Sequence, residues 1–429
     1  MNSFNATSDF DYVLIGGGLQ SGLLALALLH HHPDASVALI ERDRQIGGNH
    51  TWSFHTGDVS ESCRTWIEPL IKYRWSGYDV RLGSFRRHVG LPYASIPSNR
   101  FARVVSGLFE TSTTVGGDQV RHYELSADQQ ESLHCDGTAA VAIAEKVSDW
   151  QLMTDTDVIK VSEDSVLTRC GQLIRGRMVI DCRGPGAQKI QFAGCGYQKF
   201  HGFELELEDD WPTTSPVIME SVVDQRDGFR FLYTLPFTPR RVLVEDTRFS
   251  DTPDCDRQEC FDLVNEYLQS RGVGRFQVVR EESGVLPMPF TSELLPASSA
   301  PLSGGYSGGW FHAATGYSFP MAVAFAEAVA SGPMELVRDR VNELSDKHRL
   351  RSRYSRFLNR LLFRLVAPRQ RHRIFRRFYR VLSDASIERF YSHQFTAGDA
   401  LRIIVGIPPT LMGLRPGIFI RSLFAGDES

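Results

Sequence analysis

Several absences narrow the field first. The seven cysteines, at positions 63, 135, 170, 182, 195, 255 and 260, are odd in number, scattered and never spaced C-x-x-C, which argues against a disulfide framework and a thiolate metal site. No run approaches the roughly 20 uninterrupted apolar residues of a spanning helix; the candidates around Leu23 and Ile403 are short or broken by proline. The opening MNSFNATSDF has no basic stretch followed by an apolar segment, so no export signal is expected and a reducing cytoplasm fits. Internal repeats, low-complexity tracts and RNA- or DNA-binding motifs are missing too, so nucleic acid is not an expected partner.

Acidic residues are missing from one place. The chain carries a formal net charge of −4 over 429 residues, yet Lys347 to Arg380 holds thirteen Lys/Arg and no Asp/Glu, which leaves 34 basic against 51 acidic residues elsewhere, or −17. Within it Arg353, Arg356, Arg360 and Arg364 recur at helical spacing beside Tyr354, Phe357, Leu358, Leu361, Leu362 and Leu365. Pro368 ends that helix, and Arg371 to Leu382 repeats the pattern with Phe375, Phe378 and Tyr379. Such helices lie on anionic membranes or pack their apolar face on the protein body; the pattern favours the membrane.

The strongest positive signal stands near the start, in DYVLIGGGLQSGLLALALLHHHPDASVALIERD, Asp11 to Asp43. Tyr12 to Ile15 reads as a buried strand, Leu19 to His30 as a helix and Val37 to Ile40 as a second strand ending at Glu41 and Arg42. Gly16 permits a tight turn and Gly18 lets a pyrophosphate approach the backbone at a helix N-terminus. Glu41 stands about 20 residues on, where a ribose hydroxyl seeks an acceptor. Ser21 takes the place of the usual third glycine, with Gly22 one residue later.

Two later stretches complete a nucleotide domain. Val158 to Thr168 alternates as antiparallel strands before a turn at Cys170 to Gln172, and Met178 to Ile180 reads as a strand returning to the sheet and ending at Asp181, Cys182, Arg183 and Gly184. In Gly308 to Ala330, a strand-like Gly309 to His312 precedes a loop of Thr315, Gly316, Tyr317 and Ser318 and a helix from about Pro320. The Gly316 to Ser318 amides are expected to face an anionic partner. Between these stretches, Phe203 to Glu208, Phe229 to Leu235 and Val242 to Asp246 read as strands of an antiparallel substrate domain.

The motifs then combine into a resemblance. GGNHTWSFH (47–55), VIDCRG (179–184), DQRDGFRFLYTLP (224–236), VLVEDT (242–247), REESGVLPM (280–288), FHAATGYSFP (311–320), and LNRLLF and RFY in the basic tail occur in the order found in the bacterial lycopene beta-cyclase family, which the chain closely resembles over most of its length. The resemblance implies a cytoplasmic flavoprotein, peripheral on the inner face of the membrane. It would turn the linear ends of lycopene into beta-ionone rings, with reduced FAD as a non-redox cofactor and NADPH or NADH as reductant. Linear carotenoids, an anionic membrane surface and other carotenoid-pathway enzymes are the implied partners. A flavin monooxygenase or desaturase acting on a lipid would share the nucleotide fold, and a carotenoid-binding protein with a structural FAD site is a third reading.

The fold class expected is α/β: a Rossmann-type FAD domain over 9–195 and 276–340, an inserted antiparallel-sheet domain over 196–275, and a basic, membrane-facing helical region over 341–429. Gly47 and Gly48 offer close approach to a flavin. His50 and His55 have no carboxylate or thiol at ligand spacing, so no metal is expected. The family's critical acid follows a glycine by two residues in Phe-x-Gly-x-Glu, which places it at Glu204 in Phe200 to Glu204. Strand alternation alone would put Glu204 with Glu206 and Glu208 on a solvated face. Two roles remain open for Glu204: a proton donor with a pKa raised in an apolar pocket, or a carboxylate that stabilises a cation.

Overall fold

The computed structural model describes residues 9–110, 149–184, 194–291 and 301–405. Cys135 and the segment beyond 405 therefore lie outside the described residues.

The chain opens with β1 (Phe10–Ile15), α1 (Leu19–His31) and β2 (Val37–Ile40). The two strands pair in parallel, Tyr12 opposite Val37 and Ile15 opposite Ile40, and α1 is buried continuously from Gln20 to Leu28. A helix apolar on every side suits a site covered on every side. Next come β3 (Thr51–His55), α2 (Glu61–Ile67), β4 (Tyr73–Trp75), β5 (Tyr78–Leu82), β6 (Phe85–Val89), β7 (Tyr93–Pro97) and α3 (Ser98–Glu110). Then β8 (Trp150–Met153), β9 (Val158–Val161), β10 (Ser165–Thr168) and β11 (Leu173–Asp181) close a sheet in the order β8-β2-β1-β11-β10-β9. β11 serves twice: Leu173 to Arg175 pairs antiparallel with β10, and Gly176 to Asp181 pairs parallel with β1.

A second sheet is built from β12 (Cys195–Leu207), β13 (Val217–Glu220), β14 (Phe229–Pro236) and β15 (Arg241–Ser250), with α4 (Arg257–Ser270) on one face and β16 (Phe276–Pro289) at its edge. Its order, β16-β12-β15-β14-β13-β5-β6, departs from the domain bounds read from sequence. Residues 276–289 and 78–89 belong to this sheet rather than to the nucleotide unit. The reason is backbone hydrogen bonding: β12 is long, and β16 satisfies its free edge from Cys195 opposite Pro289 to Leu207 opposite Phe276. A third, small sheet, β3-β7-β4, bridges the two units.

The expected strand at Gly309 to His312 is not formed. The strand of this region is β17 (Leu302–Ser303), parallel to β11. Gly305 and Gly309 then take positive φ in a compact turn in which Gly308 N–H donates to Gly304 and Trp310 N–H to Gly305. α5 (Phe319–Ala330) follows, with Pro320 in its first turn, and packs on α1.

The basic tail forms α6 (Val337–Arg360), a π-helical turn at Leu361–Leu365, α7 (Arg371–Val381), α8 (Asp384–Tyr391) and α9 (Ala397–Ile404). Its apolar side lies on the protein body: Phe375 stands 4.7 Å from the rings of both Phe229 and Phe249, and Tyr379 and Leu382 are buried. Two arginines are buried as well. Arg356 is 2% exposed, and Arg371 is fully buried, donating to Leu362, Phe363 and Phe249 carbonyls and pairing with Asp251 at 2.6 Å. The charge run is therefore partly structural, which sequence spacing did not distinguish. Among the described residues, no helix is long and apolar enough to cross a membrane.

Candidate functional site

The first half of the site is the glycine loop between β1 and α1. Gly16 has φ +94°, and a Cβ there would meet the Arg183 backbone at 3.0 Å. Gly18 is the N-cap of α1, and a Cβ there would meet nothing within 4 Å. An unfilled space thus lies before free amides at a helix N-terminus, the arrangement that receives a phosphate. Glu41 closes the loop, its carboxylate accepting from Gly17 N–H and from Asp43 N–H at 2.8 Å. Arg42 points outward beside Asp43.

Other predicted glycines divide into two kinds. A Cβ on Gly22 would lie 2.1 Å from Phe101 Cζ, so Gly22 lets α1 and α3 approach. Gly47, at φ +90°, is packed against Phe101 and Ser98 and donates to Gly17 at 2.8 Å. Gly48, at φ +58°, and the exposed Gly184 have nothing within 4 Å. Gly18, Gly48 and Gly184 are therefore the positions left open. Asp181 is held by Arg183 at 2.6 Å.

The loop before α5 differs from the sequence expectation. Gly316 N–H donates to His312 O at 2.9 Å, and Tyr317 N–H to Thr315 Oγ1 at 3.3 Å, so two of the amides expected to face an anion are used within the loop. Ser318 is the N-cap residue of α5. The Tyr317 hydroxyl donates to Asp58 at 2.9 Å, and Asp58 also meets His55 Nδ1 at 3.2 Å. His55 is thus tied into a buried polar network with Tyr78. His393, its ring centre 4.6 Å from that of His312 and 4.9 Å from that of His348, fastens the loop to the tail helices. Burial holds all three imidazoles well below their ordinary pKa. Among the described residues no His/Cys/carboxylate group could hold a metal.

The second half is a row of carboxylates on the second sheet. Glu204 is 9% exposed, whereas Glu206 and Glu208 are exposed. Arg241 Nε lies 2.7 Å from Glu204 Oε1, and Arg280 Nε lies 2.7 Å from Oε2. Desolvation works against the charge, but Arg280 and Arg241 outweigh it and hold the carboxyl below the usual glutamate range. Of the two roles left open for Glu204, this double arginine clamp favours the carboxylate over the protonated donor.

The group pushed the other way is Glu245. It faces Gly202 across one strand and Tyr233 across the next. Its side chain keeps partial accessibility yet sits deep in the protein, and burial, reinforced by Glu282, pushes its carboxyl up to about 8. Thr247 Oγ1 donates to it at 2.5 Å. Asp246 points to the opposite face and is fixed by Arg230 at 2.7 Å and Arg248 at 3.3 Å.

Arg280 joins the two halves. Its guanidinium reaches Glu204, Glu282 (2.7 Å), Thr51 Oγ1 (2.7 Å) and the Asn49 carbonyl (2.5 Å), and Asn49 follows Gly47 and Gly48. The open glycine edge and the acidic row therefore meet in one place. Sequence reading missed Arg280 and Glu282. The charged string Arg280-Glu281-Glu282 within an otherwise alternating strand was the available signal.

Comparison with known proteins bears on the family and the fold. The sequence model described as "Lycopene cyclase protein" matches residues 11–149 and 141–414. The chain is 34% identical over 414 residues to lycopene beta-cyclase of Pseudescherichia vulneris, covering 94% of this chain and 95% of that one. It is 35% identical over 411 residues to lycopene beta-cyclase of Pantoea ananas, covering 93% and 95%. Among solved structures, a probable FAD-dependent monooxygenase from Pseudomonas aeruginosa shares the fold at a TM-score of 0.52 and 14% identity, over 85% of this chain and 98% of that one.

Proposed function

The chain belongs to the lycopene cyclase family, and we propose that it converts the linear ends of lycopene into beta-ionone rings with Glu245 as the proton donor. The observation that carries this reading is the carboxylate row of the second sheet, Glu204, Glu245 and Glu282, which Arg280 ties through Asn49 to the loop of open glycines; within it burial and Glu282 raise the Glu245 carboxyl. Ring closure begins when Glu245 gives its proton to a terminal carbon–carbon double bond. The neighbouring alkene attacks the tertiary cation, and the ring proton returns to the Glu245 carboxylate. Substrate and product are isomers, so no electrons are consumed.

The unfilled space before Gly18 and beside Gly48 and Gly184 fits a dinucleotide, with Glu41 placed for its ribose. When bound, FAD kept reduced by NADPH or NADH supplies a negative charge that stabilises the cation where water is excluded. Glu204, ionised, adds a second fixed negative charge in the role of stabiliser rather than donor. Tyr93 and Tyr233, their hydroxyls 3.1 Å apart, are kept neutral by burial and present ring faces that favour a cation.

Lycopene is dissolved in membranes, and the exposed Arg353, Arg364, Arg369, Arg373 and Arg380 supply a basic surface for an anionic bilayer at its cytoplasmic face. The shared monooxygenase fold keeps a second reading in view, and stoichiometry separates the two. Purified protein is given lycopene in liposomes with and without reduced FAD, anaerobically and in a parallel aerobic assay with NADPH. Cyclic carotenoid formed without net consumption of reductant supports the cyclase; NADPH and oxygen consumed with every turnover overturns it.

A further inference from the structure

Cys255 and Cys260 flank the N-terminus of α4. Asp256 is its N-cap, the side chain accepting from Glu259 N–H at 2.7 Å, so Cys255 precedes the cap and Cys260 is the fourth residue of the helix. Those two positions ordinarily carry apolar side chains that pack on each other and fix the angle at which the chain enters the helix. Here both are cysteine, and their sulfurs lie 3.7 Å apart. Cys260 is fully buried in the apolar cluster of Phe203, Leu205 and Val244, whereas Cys255 is half-buried at its edge. The surroundings are cationic: Arg248 Nη2 stands 3.8 Å from Cys260 Sγ, and the buried Lys199 ammonium donates to the carbonyl of Asp254, the residue before Cys255.

We propose that Cys255 and Cys260 are a redox-active dithiol that a peroxide converts to a disulfide, with Cys255 as the attacking thiol and Cys260 as the resolving one. The Cys255 thiolate attacks one peroxide oxygen; an S–O bond forms, the O–O bond breaks, and the other oxygen leaves with a proton as water or an alcohol. Cys260 sulfur then attacks the resulting sulfenic acid. An S–S bond forms, the S–O bond breaks, and hydroxide leaves with the Cys260 proton as water, so two thiols are oxidised while one peroxide is reduced. The order of attack follows from exposure and charge. Cys255 is the accessible sulfur, and a helix N-terminus beside Arg and Lys favours the thiolate. The Cys260 hydrogen bond, then Arg248 and Lys199, hold the Cys255 thiol below its ordinary pKa against burial and Asp246, while Cys260 is pushed up by its bond to Cys255 and by burial. Disulfide formation brings the sulfurs from 3.7 Å to about 2.0 Å. The bond would close over Arg257, which pairs with Glu281 at 2.7 Å on the strand that carries Arg280 and Glu282.

The test is peptide mapping. Trypsin cleaves after Arg248, Arg257 and Arg271, so it separates the two cysteines into peptides 249–257 and 258–271 that only a disulfide holds together. Purified, reduced protein is treated with hydrogen peroxide, both folded and unfolded in urea. Remaining thiols are then alkylated under denaturing conditions before digestion. The linked pair should appear, disappear on dithiothreitol treatment, and form faster in the folded chain than in the unfolded one. Cys260→Ser should stop at a sulfenic acid on Cys255, trapped by dimedone, and Cys255→Ser should leave Cys260 unlabelled. The wild-type map decides alone if either serine variant does not fold. Recovery of both peptides singly with each cysteine alkylated, linkage of Cys255 to another cysteine, or equal rates in folded and unfolded chains overturns the proposal. Dimedone on Cys260 in folded Cys255→Ser, with none on Cys255 in Cys260→Ser, overturns the assignment of the attacking thiol.

Discussion

Arg280 Nε lies 2.7 Å from Glu204 Oε2 while its Nη1 lies 2.7 Å from Glu282 Oε2. One guanidinium thus neutralises two buried carboxylates and, through Asn49, holds the loop of open glycines to the second sheet. Arg280→Met should therefore cost more than either pair alone. Breaking a buried pair by removing one partner is worth about 3–5 kcal/mol, and here Glu282 loses the arginine paired with it while Glu204 loses one of two. Thermal unfolding should show a large loss, and flavin titration should show weakened FAD uptake.

Glu204 and Glu245 should separate in mutagenesis. Glu245→Gln removes the titrating proton and is expected to slow ring formation by about 10² to 10⁴ with FAD binding retained. Glu204→Gln frees Arg241 and Arg280, so its effect should include lost stability as well as lost rate. Carotenoid analysis beside thermal unfolding distinguishes the two; equal, purely catalytic losses would contradict the assignment.

The same two groups have opposite pH signatures. Glu204 is depressed in the folded state, so its contribution is present above the unfolded value of 4.5 and is lost as pH falls through the lower folded value. Glu245 is raised to about 8 from 4.5, so the folded state binds its proton more tightly and stability declines as pH rises from 4.5 towards 8. Glu245→Gln should accordingly raise the melting temperature at pH 8 more than at pH 4.5, while Glu204→Gln should lower it most near neutrality.

Gly18 and Gly22 supply a paired test of the nucleotide site. Gly18→Ala places a methyl group in open space and should fold normally while losing FAD affinity. Gly22→Ala drives a methyl group into Phe101 and should cost about 1–3 kcal/mol of stability through overpacking. Flavin fluorescence against denaturant unfolding reads both.

The basic tail should divide likewise. Reversing the charge of the exposed Arg364, Arg369, Arg373 and Arg380 should weaken sedimentation with anionic vesicles, as high salt does to the wild type. Arg371→Ala should instead unfold the tail's contact with the second sheet, because Arg371 is fully buried and holds three carbonyls.

The sequence by itself determined what depends on neighbours along the chain. β1, α1 and β2 follow from an aliphatic run, a glycine turn and a second run, and observed bounds agree with expected ones within about two residues. The tail helices follow from the spacing of Arg and aromatic residues and from Pro368. Alternation also grouped Glu204 with Glu206 and Glu208, and it could go no further, because facing outward from a strand does not say what lies opposite. Tertiary structure decided that. β16 comes from about 80 residues downstream to pair with β12, bringing Arg280 onto Glu204 and Glu282 across Gly202 from Glu245. Ionisation is set by burial and by the nearest charge in space, so the opposite environments of Glu204 and Glu245 arise only when three distant strands meet in one sheet.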